Sequence, residues 1–276
     1  MPAVVEALGP AHVAPLRALL SRDVAHNMYL LGLMEEFGVV SGSHRNFTFW
    51  GRFSDGELTA ACFVGGNGGL VVPSASSALH VGDIAKRLAG QVKLASTLGE
   101  QAAVDALVKH LQVTPTYVRP QKLFSVSPND LGPFTNPLLR VATEGDVPQL
   151  VPMAAACVKE LMHRDPLAED PVGFELRVRQ RVRAQRTYVL EEKGRLVFKL
   201  DVGSRSQFGA ELENLYTLPE ERGRGHASLC LGQISRFLMS SLPRLTVRID
   251  ETNSRFAEIA RKVGYLQGRA QKLLWV

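Results

Sequence analysis

Hydrophobic positions along the C-terminal half change period in a regular order. LRVATEGDVPQLVPMAAACVKELM opens as a short strand, turns at Glu144–Asp146 and continues as a helix that Asp146 is placed to cap. Residues 172–185 carry Phe174, Val178 and Val182 at helical spacing; Leu176, Val178 and Val182 also fit alternation, and helix is the favoured reading. TYVLEEKG and RLVFKLDVG read as a hairpin turning at Glu192–Gly194, and AELENLYTL, residues 210–218, as a strand stopped by Pro219. After a loop comes a helix that buries Ala227, Leu231, Ile234 and Leu238, with Pro243 at its end. LTVRID is a strand, ETNSRFAEIARKVGY a capped helix closing at Gly264, and QKLLWV a last strand.

The N-terminal half repeats that order more faintly. HVAPLRALLSRDVAHNMYLLGLMEEFG is helical, and RNFTFWGRF, ELTAACFVG and GLVVP are strands. SALHVGDIAKRLAG is helix, QVKLAST strand, EQAAVDALVKHLQ helix and TYVRPQKLFSV strand. Each half therefore runs helices, three strands, helix, strand, helix, strand. Between them SVSPNDLGPFTNPL, residues 125–138, is rich in Pro, Asn, Gly and Ser. The expected organisation is a first domain over 1–125, a linker over 126–138 and a second domain over 139–276.

Composition narrows the class. Of 276 residues, 45% are hydrophobic and 21% charged, which suits a globular chain with a proper core. The net charge of +5 favours an anionic ligand without requiring nucleic acid, and no aromatic platform is interleaved with the basic residues. The N-terminus lacks the pattern of a secretory signal, since Glu6 interrupts its apolar run. The longest uncharged stretch, residues 60–82, holds too much Gly, Ser and Asn for a membrane span. Cys62, Cys157 and Cys230 lie far apart with no metal-ligand spacing, so a reduced cytoplasmic protein without a metal is expected.

The chemistry concentrates in PEERGRGHASLCLGQ, residues 219–233. Its glycines let the backbone turn tightly and approach a ligand with no Cβ in the way. The helix that follows leaves its first N–H groups unpaired, and these favour an anion together with the positive end of the helix dipole. Arg222 and Arg224 add forked donors suited to phosphate oxygens. No GK[ST] follows, and the order strand, GxGxxG, helix fails, so neither a nucleotide P-loop nor a dinucleotide fingerprint is present.

Arg222-x-x-Gly225-x-Ala227 resembles the Q/R-x-x-G-x-G/A signature of the GCN5-related N-acetyltransferases, the GNAT superfamily. Its flanks fit: strand, Pro, loop, helix, strand, Asn, and a helix ending in Gly-Tyr. The resemblance covers roughly residues 139–276, and the two-part chain is similar to bacterial members in which a degenerate GNAT-like domain precedes the active one. It implies an α+β fold of tandem domains, each a mostly antiparallel sheet flanked by helices. It also implies acetyl-CoA or another acyl-CoA as co-substrate. The backbone of Arg222, Gly223, Arg224, Gly225, His226 and Ala227 would hold the pyrophosphate. Leu215, Tyr216 and Thr217 would pair with the pantetheine arm, and a backbone N–H there would polarise the thioester carbonyl. Asn253 stands where the family has an Asn near that arm, and it also reads as the N-cap of the last helix.

Acetylating an amine calls for a base to remove the ammonium proton. Glu211 and Glu213 share a face of the strand before the loop and are the candidates, with Glu211 matching the family's base position. The family's usual acid, a Tyr seven residues after the Asn, is replaced by Ala260. Tyr216 and His226 are substitutes, although His226 reads as a solvent-exposed loop residue. Cys230 reads as core, and Trp50 and Trp275 as packing residues. Arg177, Arg179, Arg181, Arg183 and Arg186 form either a solvated face or a selector of acidic acceptors. The expected activity is acyl transfer to a small-molecule or peptide amine in a ternary complex. A non-catalytic acyl-CoA sensor and an amino-acid N-acyltransferase of the glycine-conjugating type are the alternatives. Neither nucleic acid nor membrane is an expected partner, and the sequence leaves the oligomeric state open.

Overall fold

Both halves contribute to one continuous sheet. The computed structural model describes residues 3–41, 46–66 and 69–276. The first half contains β1 (Val4–Ala7), α1 (Val13–Ser21), α2 (Met28–Phe37), β2 (Thr48–Ser54), β3 (Glu57–Gly65), β4 (Leu70–Ala75), α3 (Ala78–Leu88), β5 (Ser96–Glu100), α4 (Gln101–Leu111) and β6 (Tyr117–Val126). The second contains β7 (Arg140–Val141), α5 (Val147–Met162), α6 (Pro166–Glu169), α7 (Pro171–Arg183), β8 (Thr187–Glu192), β9 (Arg195–Ser206), β10 (Gly209–Thr217), α8 (His226–Met239), β11 (Leu245–Asp250), α9 (Ser254–Val263) and β12 (Leu266–Trp275). The common order of elements expected from the hydrophobic pattern is present, the short strand expected at the start of the second half is β7, and the first half is extended by an opening strand, β1.

Local differences from the sequence reading have local causes. The long first helix breaks at 22–27, where the Asn27 amide donates back to the Leu20 carbonyl at 2.9 Å. The strand read over QVKLAST starts only at Ser96, because the N–H groups of Gln91 and Val92 are taken by the Leu88 carbonyl at the end of α3. Arg45, the first residue of the strand read over RNFTFWGRF, lies outside the described residues. Asp146 does not cap α5 with its own side chain. Thr143 opens a capping box instead, and the Asp146 carboxylate accepts from the Thr143 N–H at 2.7 Å and from Arg140 at 2.8 Å.

The sheet has twelve strands in the order β1-β2-β3-β4-β5-β12-β6-β11-β10-β9-β8-β7. Only β4 with β5 and β10 with β11 are parallel pairs. The last strand of each half has crossed over: β6 pairs with β11, from Val126 against Leu245 to Gln121 against Asp250. β12 lies between β5 and β6, so Leu273 faces both Leu98 and Arg119. The segment between the halves is also packed, since Phe134 lies against Gly232 of α8.

Helices cover both faces. Along β3, Ala61 and Phe63 meet Leu16, Leu20 and Leu31 of α1 and α2, while Ala60, Cys62 and Val64 meet Val81, Ile84 and Leu107 of α3 and α4. In the second half, Leu200, Leu212 and Val247 pack with Ile234, Leu238 and Ala260 of α8 and α9, and α5 and α7 cover Val189 and Leu196. The helix α2 crosses to lie on β9, where a Cβ on Gly32 would stand 2.6 Å from that of Ser204. Among the described residues, no helix is long and apolar enough to cross a membrane.

Candidate active site

The site arises where two parallel strands part. β10 and β11 pair only from Ala210 against Leu245 to Leu212 against Val247. Beyond Glu213 a bulge shifts β10, and Asn214 takes a left-handed φ of 52°. Such a conformation costs a residue with a Cβ about 1–2 kcal/mol. The Asn214 amide is held by Asp201 at 3.0 Å. Asp201 is only 2% exposed and also accepts from Lys199 at 2.8 Å, Thr187 at 2.9 Å and Arg181 at 3.0 Å. Burial opposes its ionisation, but the Lys199 and Arg181 charges outweigh burial and hold its carboxyl below the usual range.

The parted strands leave a cleft of about 540 Å³. Glu211, Glu213, Leu215, Tyr216, Thr217, Arg222, Gly223, Gly225, His226, Ala227 and Asn253 all line it. Of the residues expected at the site, Arg224 alone does not. Gly223 and Gly225 each hold φ at 86°, so the loop follows a path that suits glycine. Among the described residues, the N–H groups of Gly223 through Ser228 find no hydrogen-bond acceptor. They are concentrated at the start of α8, where Gly223, Gly225, His226, Ala227 and Ser228 line the cleft.

Both loop arginines have partners within the protein. Arg222 donates to the Thr217 carbonyl at 3.1 Å and to Glu160 at 2.6 Å, and lies 5.4 Å from the Tyr216 ring centre. Arg224 binds Glu221 at 2.5 Å. Both guanidinium groups thus tie the loop to neighbouring carboxylates. Arg255 on α9 forms no ion pair or hydrogen bond among the described residues, and its tip lies 3.8 Å from where a Cβ on Gly223 would be. Its sequence context, an exposed helical arginine, carried no signal. Asn253 does cap α9, accepting from the Phe256 N–H at 3.0 Å. His226 is 8% exposed, contrary to the solvent-facing expectation, because the first turn of α8 directs it inward.

Each of the paired carboxylates has an arginine. Arg248 of β11 donates to Oε1 of Glu211, and Arg181 of α7 lies 2.6 Å from Glu213. Glu211 is 5% exposed, and its second oxygen, Oε2, is buried with no partner. Desolvation raises its pKa, and the Arg248 charge offsets this only in part. The sequence reading missed Arg248; a cation in the apolar core of LTVRID, on the strand beside Glu211, was the available signal. The first half reaches the cleft as well. Arg119 and Gln121 of β6 line it, and the Tyr29 ring of α2 lies 5.8 Å from the Arg248 guanidinium.

Other candidates take structural places. Ala260 is fully buried, and the Tyr265 hydroxyl is hydrogen-bonded to Ser235 at 2.7 Å. Burial pushes the Cys230 thiol up to about 12, so it is core and no nucleophile at neutral pH. Trp275 stacks on Tyr117 at 4.5 Å, and Trp50 lies under Arg87 at 5.2 Å. Each arginine of the α7 run is paired with a carboxylate: Arg177 with Asp170, Arg179 and Arg183 with Glu144, Arg181 with Asp201, and Arg186 with Glu36. The run is thereby matched by carboxylates of its own surroundings.

A family model described as a domain of unknown function, DUF4081, matches residues 48–125. No curated protein matches the chain in sequence. Solved structures do match over nearly its full length. A Drosophila protein is 15% identical, with a TM-score of 0.69 over 100% of this chain and 99% of its own. A GNAT-type N-acetyltransferase from Sphaerobacter thermophilus is 14% identical, with a TM-score of 0.59 over 99% and 94%. A tandem GNAT protein of the clavulanic acid biosynthesis pathway is 11% identical, with a TM-score of 0.58 over 99% and 98%. The fold is therefore that of the tandem GNAT proteins.

Proposed function

We propose that the chain transfers an acetyl or other short acyl group from acyl-CoA to a primary amine. The observation that carries this reading is the row of unpartnered N–H groups from Gly223 to Ser228 at the mouth of the parted strands. The row suits a pyrophosphate, and the free edge of β10 over Leu215–Thr217 suits the pantetheine amides, which would lie there as an added strand. Arg255 adds a free cation beside the loop.

The amine nitrogen attacks the thioester carbon, forming the C–N bond and a tetrahedral oxyanion that a backbone N–H of Leu215–Thr217 stabilises. Glu211, with an unpartnered oxygen and a pKa raised by burial, accepts the ammonium proton, directly or through water relayed past Glu213. The oxyanion collapses, the C–S bond breaks and CoA leaves as a thiolate, to which the proton still carried by the attacking nitrogen passes through water. Ala260 removes the family's usual acid, which favours a second reading, an acyl-CoA sensor with little turnover. Turnover on a panel of amines, abolished by Glu211→Gln with Glu213→Gln, would exclude the sensor.

Calorimetric titration of acetyl-CoA and CoA into wild type and Ser228→Glu tests the anion site. A glutamate in the first turn is compatible with the helix and its dipole, so the variant should stay folded. Its carboxylate would face a phosphate charge, and one such pair at ~4 Å repels by about 4 kcal/mol at an effective dielectric of 20. One site per chain in wild type, lost in a folded Ser228→Glu, is the expected result. Equal affinity in the two proteins would remove the loop from any phosphate role.

A further inference from the structure

We propose that His226, Glu192 and Glu221 form a binding site for a zinc-class divalent cation. The three residues are brought together from the end of β8, the turn at 219–221 and the first position of α8. One donor atom from each lies within 4.8 Å of the others. The His226 side chain is 9% exposed, and its Nε2 is buried without a hydrogen-bond partner. Nε2 stands 3.9 Å from Glu221 Oε2, and Nδ1 stands 3.8 Å from Glu192 Oε1.

These separations are too long for hydrogen bonds, which bring nitrogen and oxygen to about 2.7–3.2 Å. A protonated imidazole therefore leaves the buried nitrogen unsatisfied. The two separations involve different nitrogens of the ring, and one ion takes only one of them; with a single imidazole nitrogen as donor, the three ligand atoms lie within 4.8 Å of one another. Bonds of about 2.0–2.2 Å to one ion place its nitrogen and oxygen ligands roughly 3.3 Å apart in tetrahedral geometry. The Glu192 side chain is 41% exposed and makes no other ion pair among the described residues, so it is free to close the remaining gap. Glu221 also carries the 61% exposed Arg224 guanidinium, which a cation would share or displace. One imidazole with two carboxylates is a donor set for zinc, cobalt, iron or manganese rather than for a soft thiolate-seeking ion. Water would complete the coordination.

A cation there would join β8, the turn and α8, and would add positive charge at the helix end that carries the unpartnered N–H row. This effect on the loop rests on the acyl-CoA reading; the site itself does not. Metal titration without any acyl-CoA separates the two.

The test is titration of Zn²⁺ by calorimetry, and of Co²⁺ by its visible absorption, into the full chain carrying no histidine tag. Wild type should take up one equivalent and give the intense d–d bands of a low-coordinate cobalt. His226→Ala should abolish uptake, and Glu192→Gln should weaken it at least about tenfold, as loss of a ligand does. Glu192 lies outside the proposed cofactor cradle, so its variant also decides the matter if His226→Ala fails to fold. Absence of uptake by wild type at millimolar metal, or unchanged affinity in Glu192→Gln and a folded His226→Ala, would overturn the site. A second titration, of CoA with and without one equivalent of Zn²⁺, should show tighter CoA binding with the metal. Unaltered CoA affinity would overturn the coupling alone.

Discussion

Cutting the chain between residues 138 and 139 should leave neither half stable alone. The cut respects the boundary read from composition, but the sheet does not. In a fragment of residues 139–276, β11 loses the partner that faces it along six residue pairs from Leu245 to Asp250. Phe124 and Val126 of β6, buried to 0% and 1% exposure in the core of the second half, depart with it. Burying such side chains contributes about 1.5–3 kcal/mol each, or about 3–6 kcal/mol for the two. The lost ladder adds about 0.5–1.5 kcal/mol for each hydrogen bond. The sum exceeds about 6 kcal/mol, which is the scale of a domain's entire stability of about 5–15 kcal/mol. β12 cannot help in its present place, because it pairs only with β5 and β6, both from the first half. Circular dichroism with urea, and amide exchange, should show fragment 139–276 without a cooperative transition, and co-expression with fragment 1–138 should restore one. A fragment that unfolds cooperatively with a midpoint near that of the full chain would refute the reasoning. It would mean that β12 swings into the place of β6.

Other expected outcomes concern single groups. Because burial raises the pKa of Glu211, the acid limb of kcat/KM should lie above the ordinary glutamate value of 4.5, and Glu211→Gln should lower kcat by about 10²–10⁴-fold. The stability effect has the opposite sense: with the folded pKa above the unfolded one, the gain from protonating Glu211 is present below the unfolded value and lost as pH rises through the folded one. Asp146 behaves conversely. Arg140 and the Thr143 N–H hold it down to about 2. Asp146→Asn should therefore cost about 2 kcal/mol at neutral pH by urea titration, a deficit that fades as pH falls from about 4 to about 2.

Much of the fold was legible locally. Amphipathic periods located α8 and α9, and apolar runs joined by a turn at Gly194 located the β8–β9 hairpin, whose strands are buried on both faces. RGRGHA was legible as a tight glycine turn opening a helix because glycine and helix N-termini have local physics. Glu211 and Glu213 were legible as a pair because strand alternation places both on one face. The function of an arginine was not, since a guanidinium reaches for the nearest carboxylate in space. Arg222 and Arg224 therefore pair with Glu160 and Glu221, while Arg255, distant in sequence, forms no ion pair or hydrogen bond among the described residues.

The sequence alone determined the order of elements and the strand–loop–helix unit around residues 210–239, through hydrophobic periodicity, capping and turn chemistry within a few residues. Tertiary structure decided the rest. Exchange of β6 and β12 depends on pairing between strands more than a hundred residues apart, which no local pattern specifies. The burial of Glu211 with Arg248, the Asp201 network beneath the bulge and the meeting of His226 with Glu192 and Glu221 likewise come from separate elements packed together. Charge, desolvation and hydrogen-bond satisfaction act through space, and no spacing along the chain encodes them.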